Sequence, residues 1–179
     1  MNRHHAQPAT PVRPGYAEHC VMRWSLDLVL RMIYETSVAF DGDLTGGIIF
    51  LALIRANTQH LAEAVQLEFS HSHGVIPNRA RRPASVKSIS DSLNLPYETV
   101  RRHLGKLQAA GYCERQPGRG FVIPESVLLK AEFVAILDRN FASFQLMMSR
   151  LQRSGTDVLQ PLMRSLPDLN GDGAGASRP

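Results

Sequence analysis

The sequence predicts a mainly α-helical protein that carries one small two-stranded β element. Apolar residues recur at helical spacing in three segments, about 18–40, 44–68 and 124–152. Residues 83–110 instead contain two short helical patterns separated by a turn, and residues 112–123 contain two strand-like runs around a glycine-rich tetrapeptide. With 179 residues and 44% hydrophobic content, the chain is long enough for one compact domain or for a small domain with helical extensions.

These signals divide the chain into six segments. The two ends are rich in Pro, Gly, Ser and Asp and poor in large apolar residues, which is typical of disorder. We therefore expect a disordered arm at 1–17, an N-terminal helix pair at 18–70, a basic loop at 71–82, a central domain at 83–123, a C-terminal helix at 124–153 and a disordered tail at 154–179.

The first predicted helix is apolar around most of its circumference. Its charged residues follow one another at i, i+4 spacing and form a single stripe of Arg23, Asp27, Arg31 and Glu35. A helix of this kind is buried on two sides, and a second subunit would supply one of them. The C-terminal helix carries an apolar seam with three- and four-residue spacing, formed by Phe133, Leu137, Phe141, Phe144, Met148 and Leu151. These surfaces predict a homodimer, with an intramolecular core as the alternative.

The central domain begins with two short helices joined by a tight turn. Ser85 is placed to cap the first helix. Asn94 tolerates the left-handed backbone conformation that ends a helix, and Pro96 is acceptable only in the first turn of a new one. Each helix would bury one apolar face in a shared core, formed by Val86, Ile89, Leu93, Val100, Leu104 and Leu107.

The second of these helices, 96–110, directs its polar side outward. Helical geometry predicts that Tyr97 and Thr99 flank an outward face made of Glu98, Arg101, Arg102, Gly105 and Ala109. After Gly111 ends the helix, the residues 112–116 and 121–123 flank the tetrapeptide PGRG and predict a hairpin with Arg119 at its tip.

Residues 83–123 resemble the winged helix-turn-helix domain of bacterial transcription regulators, especially those of the GntR type and also those of the MarR and IclR types. The matching stretches are SISDSLNLPYETVRRHLGKLQAAGYCERQ and GRGFVI. Ser90, Asn94 and Pro96 depart from the pattern, because such domains usually carry Ala, Gly and a Ser or Thr cap there. The resemblance implies sequence-specific binding of double-stranded DNA, with helix 96–110 in the major groove and the wing 116–121 on the minor groove or phosphates.

The distribution of charge favours the same function. Residues 79–120 contain nine Lys or Arg and three acidic residues, a surplus of six, whereas the whole chain has a net charge of +4. Positive charge is therefore concentrated where a phosphate-binding surface is expected. The residues that we expect to contact DNA are Arg81, Arg82, Ser85, Tyr97, Glu98, Thr99, Arg101, Arg102, Lys106 and Arg119.

Other functions have weaker signals in the sequence. There is no phosphate loop, GxSxG, HExxH or spaced carboxylate pair, so we expect no catalytic residues, no cofactor and no enzyme. One alternative is a regulator that responds to a metal or to a small ligand of unknown identity. Its metal ligands would come from His60, His71 and His73, with His19 or Cys20. A second alternative is a winged helix that binds protein and never DNA, which Glu98 on the outward face favours.

Cellular location and redox state are predicted from what the sequence lacks. No run of 18 apolar residues and no secretory signal pattern is present, which predicts a cytoplasmic protein without a membrane partner. Cys20 and Cys113 are far apart in the sequence and have no CxxC partner, so we expect two free thiols and no structural metal site.

Overall fold

The protein is described from a computed structural model, and the structure describes residues 16–153. The predicted tail 154–179 and the predicted arm 1–17 lie outside the described residues, except that Tyr16 and Ala17 form the start of the first helix. In chain order the elements are α1 Tyr16–Ala39, α2 Leu44–Thr58, α3 Glu63–His73, a 3-10 turn Asn78–Ala80, α4 Val86–Leu93, α5 Tyr97–Ala109, β1 Glu114–Gln116, β2 Gly120–Val122, α6 Glu125–Leu128 and α7 Ala131–Arg153. The expected fold class, mainly helical with one two-stranded sheet, is confirmed at this level.

The chain divides into two compact units. The larger unit is Val29–Ser143, and the described residues of the smaller unit are 16–28 and 144–153. In the described part of the smaller unit, Arg150 Nη1 on α7 lies 3.2 Å from Asp27 Oδ2 on α1. In the larger unit, Arg139 Nε on α7 lies 2.6 Å from Glu35 Oε2 on α1. Each unit therefore contains an ion pair that links these two helices.

Helix α2 is the centre of the larger unit's core. Its side chains Ile49, Phe50 and Leu53 are almost fully buried and pack with residues of α4, α5 and β2. Phe50 also stacks on Phe133 of α7 with ring centroids 5.0 Å apart. Apolar burial on this scale is the main favourable contribution to the folded state. The predicted inward residues of α4 and α5 belong to this core: Ile89, Val100, Leu104 and Leu107 are buried, and Val86 and Leu93 are partly buried.

The turn between α4 and α5 has the predicted geometry. Asn94 adopts φ 51° and ψ 40°, in the left-handed region, and α5 starts directly after Pro96. Ser85 caps α4, because its side-chain oxygen accepts a hydrogen bond from the Ser88 amide at 3.0 Å. Ser90 has a function that the sequence did not indicate: its hydroxyl donates to the Leu95 carbonyl at 2.6 Å and so fastens the turn to the preceding helix.

The hairpin is a short antiparallel pair with Arg115 opposite Phe121. Its base is attached to the segment before α4, because Ala84 and Phe121 exchange two backbone hydrogen bonds of 2.9 and 2.8 Å. Gly120 lies at this attachment with φ 121°, and a Cβ atom there would be 2.2 Å from the Ala84 carbonyl oxygen. Only glycine fits such a close approach of two backbones.

A buried asparagine joins α2 to the hairpin. Asn57 Nδ2 donates to the carbonyls of Arg82 and Phe121 at 2.8 and 3.1 Å, and Asn57 Oδ1 accepts from the Ile123 amide at 2.9 Å. Its backbone carbonyl also accepts from the Arg82 amide. One side chain therefore satisfies three backbone groups that the fold removes from water.

Two predicted helices are interrupted in the structure. The helix expected at 44–68 ends at Thr58 and resumes as α3 at Glu63. The buried side of α2 ends with Asn57 and Thr58, and the next two residues, Gln59 and His60, are polar and exposed, so no apolar side chain continues the buried stripe. The single helix expected at 124–152 is divided into α6 and α7. Val127 and Phe133 are both buried, and six residues of continuous helix would place them on different faces.

The predicted basic loop 71–82 is also partly ordered. Helix α3 extends to His73, and Asn78–Ala80 form the 3-10 turn. The loop is joined to α6 by two hydrogen bonds: the Glu125 amide donates to Asn78 Oδ1 at 2.8 Å, and the Asn78 amide donates to Glu125 Oε2 at 2.9 Å. Among the helices that the structure describes, none is by itself long and apolar enough to cross a bilayer.

Candidate nucleic-acid interface

The solvent-facing side of α5 is a shallow polar surface. It is lined by Glu98, Thr99, Arg101, Arg102 and Gly105, and we call these five residues the α5 face. The opposite side of the same helix supplies Val100, Leu104 and Leu107 to the core. The helix therefore has one side that is fixed by packing and one side that is free to meet a partner, as its sequence predicted.

The two arginines of the α5 face differ in their surroundings. Arg101 Nε lies 2.7 Å from Glu98 Oε2, in an ion pair whose partners are both largely exposed. Arg102 is exposed and forms no ion pair with any residue that the structure describes. An exposed i, i+3 pair contributes little to stability, so Glu98 mainly orients Arg101.

Gly105 lies in the middle of α5 with open space around it. A Cβ atom at this position would have no other heavy atom within 4 Å. Glycine inside a helix costs about 0.5–1 kcal/mol relative to alanine. Since no contact among the described residues requires glycine here, the observed packing does not account for this cost.

Lys106 is directed toward the N-terminus of α2. Its Nζ lies 3.7 Å from Asp43 Oδ2, and His103 Nδ1 lies 3.0 Å from the same oxygen. Asp43 also caps α2 by accepting the Gly46 amide at 2.9 Å. Partial burial raises the pKa of Asp43, but the Gly46 hydrogen bond and the charges of His103 and Lys106 bring that pKa below its ordinary value overall. Lys106 is thus partly neutralised, although its side chain is still mostly exposed.

The hairpin presents a second cationic surface. Arg119 is exposed at the turn, where its amide donates to the Gln116 carbonyl at 3.0 Å, and Arg115 is exposed on β1. Neither guanidinium forms an ion pair with a described residue. Their charges are therefore available to a partner outside the chain.

Arg81 does not lie where a phosphate contact requires it. The residue is only 7% exposed, and its Nε donates to the Ile76 carbonyl at 2.9 Å. Burial lowers the pKa of its guanidinium, and the charge of Glu125 acts in the opposite direction. The expectation that Arg81 contacts DNA is corrected on this geometry, because the side chain is used to shape the loop before α4.

The other predicted contacts stay on the surface. Arg82 is exposed, while its backbone pairs with Asn57. Ser85 is exposed too, but its hydroxyl oxygen is already occupied by the α4 cap. Tyr97 is about half exposed at the start of α5. The structure thus brings together Glu98, Thr99, Arg101 and Arg102, and it holds Arg82 and Ser85 next to the base of the hairpin at Ala84.

Three polar features that organise this surface were missed in the sequence: Asn57, Ser90 and the contact between His103 and Asp43. The groups that they join lie 5 to 66 residues apart in the sequence. No local pattern marks such a residue. Asn57 at the end of an apolar helix run was the strongest available hint, because a buried amide needs partners for its donors and its acceptor.

The described residues include no group of three or more His, Cys, Asp or Glu side chains that could hold a metal ion. Cys113 is buried, and burial together with the charge of Glu114 raises the pKa of its thiol to about 11.

A comparison with protein-family models, a search of curated proteins and a search of solved structures each found no match to this chain.

Proposed function

We propose that the protein is a sequence-specific, double-stranded DNA-binding transcription regulator of the cytoplasm, and that residues 83–123 act as a winged helix-turn-helix. In this proposal α5 enters the major groove, and the hairpin tip 116–121 lies along the minor groove or the phosphates. The observation that carries the proposal is Arg102, an exposed guanidinium without an ion pair among the described residues, beside the open position Gly105 on a helix whose other side is fixed in the core.

The α5 face has the chemistry that base recognition requires. The major groove is about 12 Å wide and admits an α-helix. An arginine on that helix can donate two hydrogen bonds to the O6 and N7 atoms of guanine, and each such pair discriminates against other bases by about 1–3 kcal/mol. Arg102 is free to make this contact. Gly105, one turn further along α5, lets the helix backbone approach the base edges.

Glu98 and Arg101 have a different part in the proposal. A carboxylate on the α5 face repels phosphates, and it can accept a hydrogen bond from the amino group of cytosine. The ion pair with Glu98 holds Arg101 near the start of α5, which is the part of such a helix that contacts bases. The pair therefore favours base contacts at the start of α5 over non-specific phosphate contacts.

The hairpin and the loop before α4 would provide phosphate contacts. Arg119, Arg115 and Arg82 are exposed on segments that are fastened to each other through Ala84, Phe121 and Asn57. Phosphate contacts set the orientation of a protein on the duplex without reading sequence. Their contribution decreases with salt, because bound cations are released from the DNA when the complex forms.

Selection of bound duplexes from a random pool, followed by titration of the selected duplex at several salt concentrations, tests the function. We expect Arg102→Ala to weaken binding to the selected duplex by about 1–3 kcal/mol and to reduce the sequence preference at one base pair. Arg119→Ala should weaken binding to all duplexes to a similar extent. It should also reduce the slope of log affinity against log salt concentration by about 1. Arg55→Ala is the matched control, since this arginine is exposed on α2 outside the α5 face. Absence of salt-dependent binding to any duplex would refute the proposal.

One observation favours a protein-binding winged helix as the second candidate. Glu98 neutralises one of the two arginines on the α5 face, and Tyr97 beside it is half exposed. Such a mixture of acidic, basic and aromatic groups also suits a protein partner. In this case the pool selection would recover no common sequence, and Arg102→Ala would leave DNA affinity unchanged.

A further inference from the structure

A groove runs between helices α2 and α4 of the larger unit. Helix α2 and its C-cap line it with six residues that follow one side of the helix, Ile48, Leu51, Ala52, Arg55, Ala56 and Gln59. Helix α4 lines it with Ser88, Ser92 and Leu93. We call it the α2–α4 groove. It encloses about 280 Å³ and shares none of these residues with the α5 face.

Small side chains leave the groove open. Ala52 and Ala56 on α2 face Ser88 and Ser92 on α4, and all four are too short to fill the space between the two helices. The Ser92 hydroxyl donates to the Ile89 carbonyl of its own helix at 3.0 Å, so it is not directed across the groove to α2. The groove therefore has room for side chains that come from outside the described chain.

The walls of the groove leave apolar surface in water. Leu51 is 49% exposed and Ile48 is 39% exposed, while Leu93 on the opposite wall is partly buried against the core. A cavity of about 150 Å³ holds one benzene molecule, so the groove has space for about two aliphatic side chains. A pocket for a small molecule encloses about 70–90% of its ligand. Walls as exposed as these suit a partner helix, which covers them with its own surface.

The charge of the groove selects among partner helices. Arg55 is the one charged residue among the nine that line it, and its guanidinium forms no ion pair with any residue in the described range 16–153. Asp91, the acidic neighbour of Ser92, is already paired with Lys87 at 2.9 Å. The groove thus combines an apolar centre with an unpaired cation, and a carboxylate is the complementary group.

We propose that the α2–α4 groove binds an amphipathic α-helix of another protein. The partner helix inserts two apolar side chains, about one turn apart, between α2 and α4, and it pairs an acidic side chain with Arg55. Ile48, Leu51 and Arg55 follow one another at steps of three and four residues, so the apolar contacts and the ion pair lie along one line. The proposal does not depend on DNA binding, because the groove and the α5 face have no residue in common.

Selection from a display library of α-helical peptides, with the full chain as bait, tests the proposal. The recovered peptides should share two apolar residues three or four positions apart and one Asp or Glu. Fluorescence anisotropy then measures the affinity of a recovered peptide. Leu51→Glu should lower this affinity by about 10–100-fold, because it removes an apolar wall of the groove. Leu67→Glu is the matched control and should leave the affinity unchanged, since Leu67 is 54% exposed on α3, outside the groove.

A charge exchange tests the ion pair. Arg55→Glu should lower the affinity of the recovered peptide by about 10-fold. A peptide whose acidic residue is replaced by Lys should bind Arg55→Glu about as tightly as the original peptide binds the wild type. Arg31→Glu is the matched control, since Arg31 is an exposed arginine on α1, outside the groove. Because all substituted side chains are exposed, circular dichroism should show unchanged helix content.

Three kinds of result would overturn the proposal. The first is a library that yields no peptide with these features, or a recovered peptide that binds Leu51→Glu and Arg55→Glu as tightly as the wild type. The second is self-association of the wild type in sedimentation that Leu51→Glu abolishes, which would assign the groove to a second copy of the chain. The third is binding of dodecanoate without any peptide, which would assign it to a small amphipathic ligand.

Discussion

The segment from Ala84 to Ile123 and helix α1 use the same kinds of residues in opposite ways. In the first, apolar side chains such as Ile89, Leu104 and Ile123 are buried together, while Arg102 and Arg119 are left in water. In α1, the acidic charges are paired with α7, and apolar side chains such as Leu26 are left in water. The first region therefore exposes cationic side chains and α1 exposes apolar ones, and the two surfaces suit different kinds of partner.

The largest effect is expected from Asn57, whose hydrogen bonds attach α2 to the hairpin and to the segment before α4. Replacing Asn57 by Ala removes three side-chain hydrogen bonds and leaves the Ile123 amide and two carbonyls without these partners. The Phe121 carbonyl keeps its hydrogen bond from the Ala84 amide, but the buried Ile123 amide loses its partner. An unsatisfied buried group costs about 1–3 kcal/mol, so we expect a loss of about 2–3 kcal/mol in the free energy of unfolding. Urea denaturation of the wild type and of Asn57→Ala measures this change in the free energy of unfolding.

Gln59→Ala is the control for Asn57, because Gln59 is an exposed neighbour just after α2. The control should change the free energy of unfolding by less than about 0.5 kcal/mol. A similar small change for Asn57→Ala would show that the hairpin does not need this attachment. The contrast between a firmly built first region and α1 would then lose its basis.

Substitution of Gly105 should change the stability of the fold and the affinity for DNA in opposite directions. A methyl group at this position meets no described atom, so Gly105→Ala should raise the free energy of unfolding by about 0.5–1 kcal/mol. In the proposed complex with DNA, the same methyl group would keep α5 away from the bases, so the affinity for the selected duplex should fall several-fold. Thermal denaturation and duplex titration measure the two effects.

Ala109→Gly provides the converse comparison near the end of the same helix. It should lower stability by a similar amount without weakening DNA affinity, since it removes bulk and adds none. If Gly105→Ala stabilised the protein and bound the duplex as tightly as the wild type, close approach of α5 to the bases would be excluded.

The smallest effect concerns pH and Asp43. Since its folded-state pKa is lowered, its charge stabilises the fold at pH values above the unfolded pKa, and this contribution is lost as pH falls through the folded-state pKa. Asp43→Asn keeps a capping oxygen but removes the charge. Because the carboxylate is about one-third exposed, we expect a loss of only a few tenths of a kcal/mol at neutral pH.

Denaturation at pH 7 and at pH 3 checks the sign of the Asp43 effect. The stability difference between wild type and Asp43→Asn should shrink at the lower pH, because the stabilisation by the Asp43 charge is lost as pH falls from the unfolded-state pKa toward the lower folded-state pKa. Asp91→Asn serves as the comparison, since Asp91 pairs with Lys87 in an exposed pair on α4. A difference for Asp43 that grows toward low pH would contradict the ion-pair network at the start of α2.

Local patterns predicted the parts of the fold that depend on neighbouring residues. The turn at Asn94, the cap at Ser85 and the inward faces of α4 and α5 follow from helical period and backbone preference, and all were found. The outward positions of Arg101 and Arg102 follow from the same period.

The failures have a common physical cause. The interior position of Arg81 and the functions of Asn57 and Ser90 depend on particular hydrogen-bond partners, which lie 5 to 66 residues away in the sequence. A basic residue in a basic run resembles a phosphate ligand until the Ile76 carbonyl and the surrounding chain are placed around it. Helical periodicity shows which side of a helix is apolar, but it does not show which backbone group a polar side chain will bind.

The close contact between Gly120 and Ala84 has a consequence for how this protein could diversify. Among residues 16–153, the hairpin is attached at its base through Ala84 and Asn57, whereas Pro117, Gly118 and Arg119 at its tip are exposed. Insertions or charge changes at the tip can therefore accumulate without loss of folding. In the proposed complex such changes would alter the phosphate contacts of the tip, while the buried contacts at the base of the hairpin stay the same.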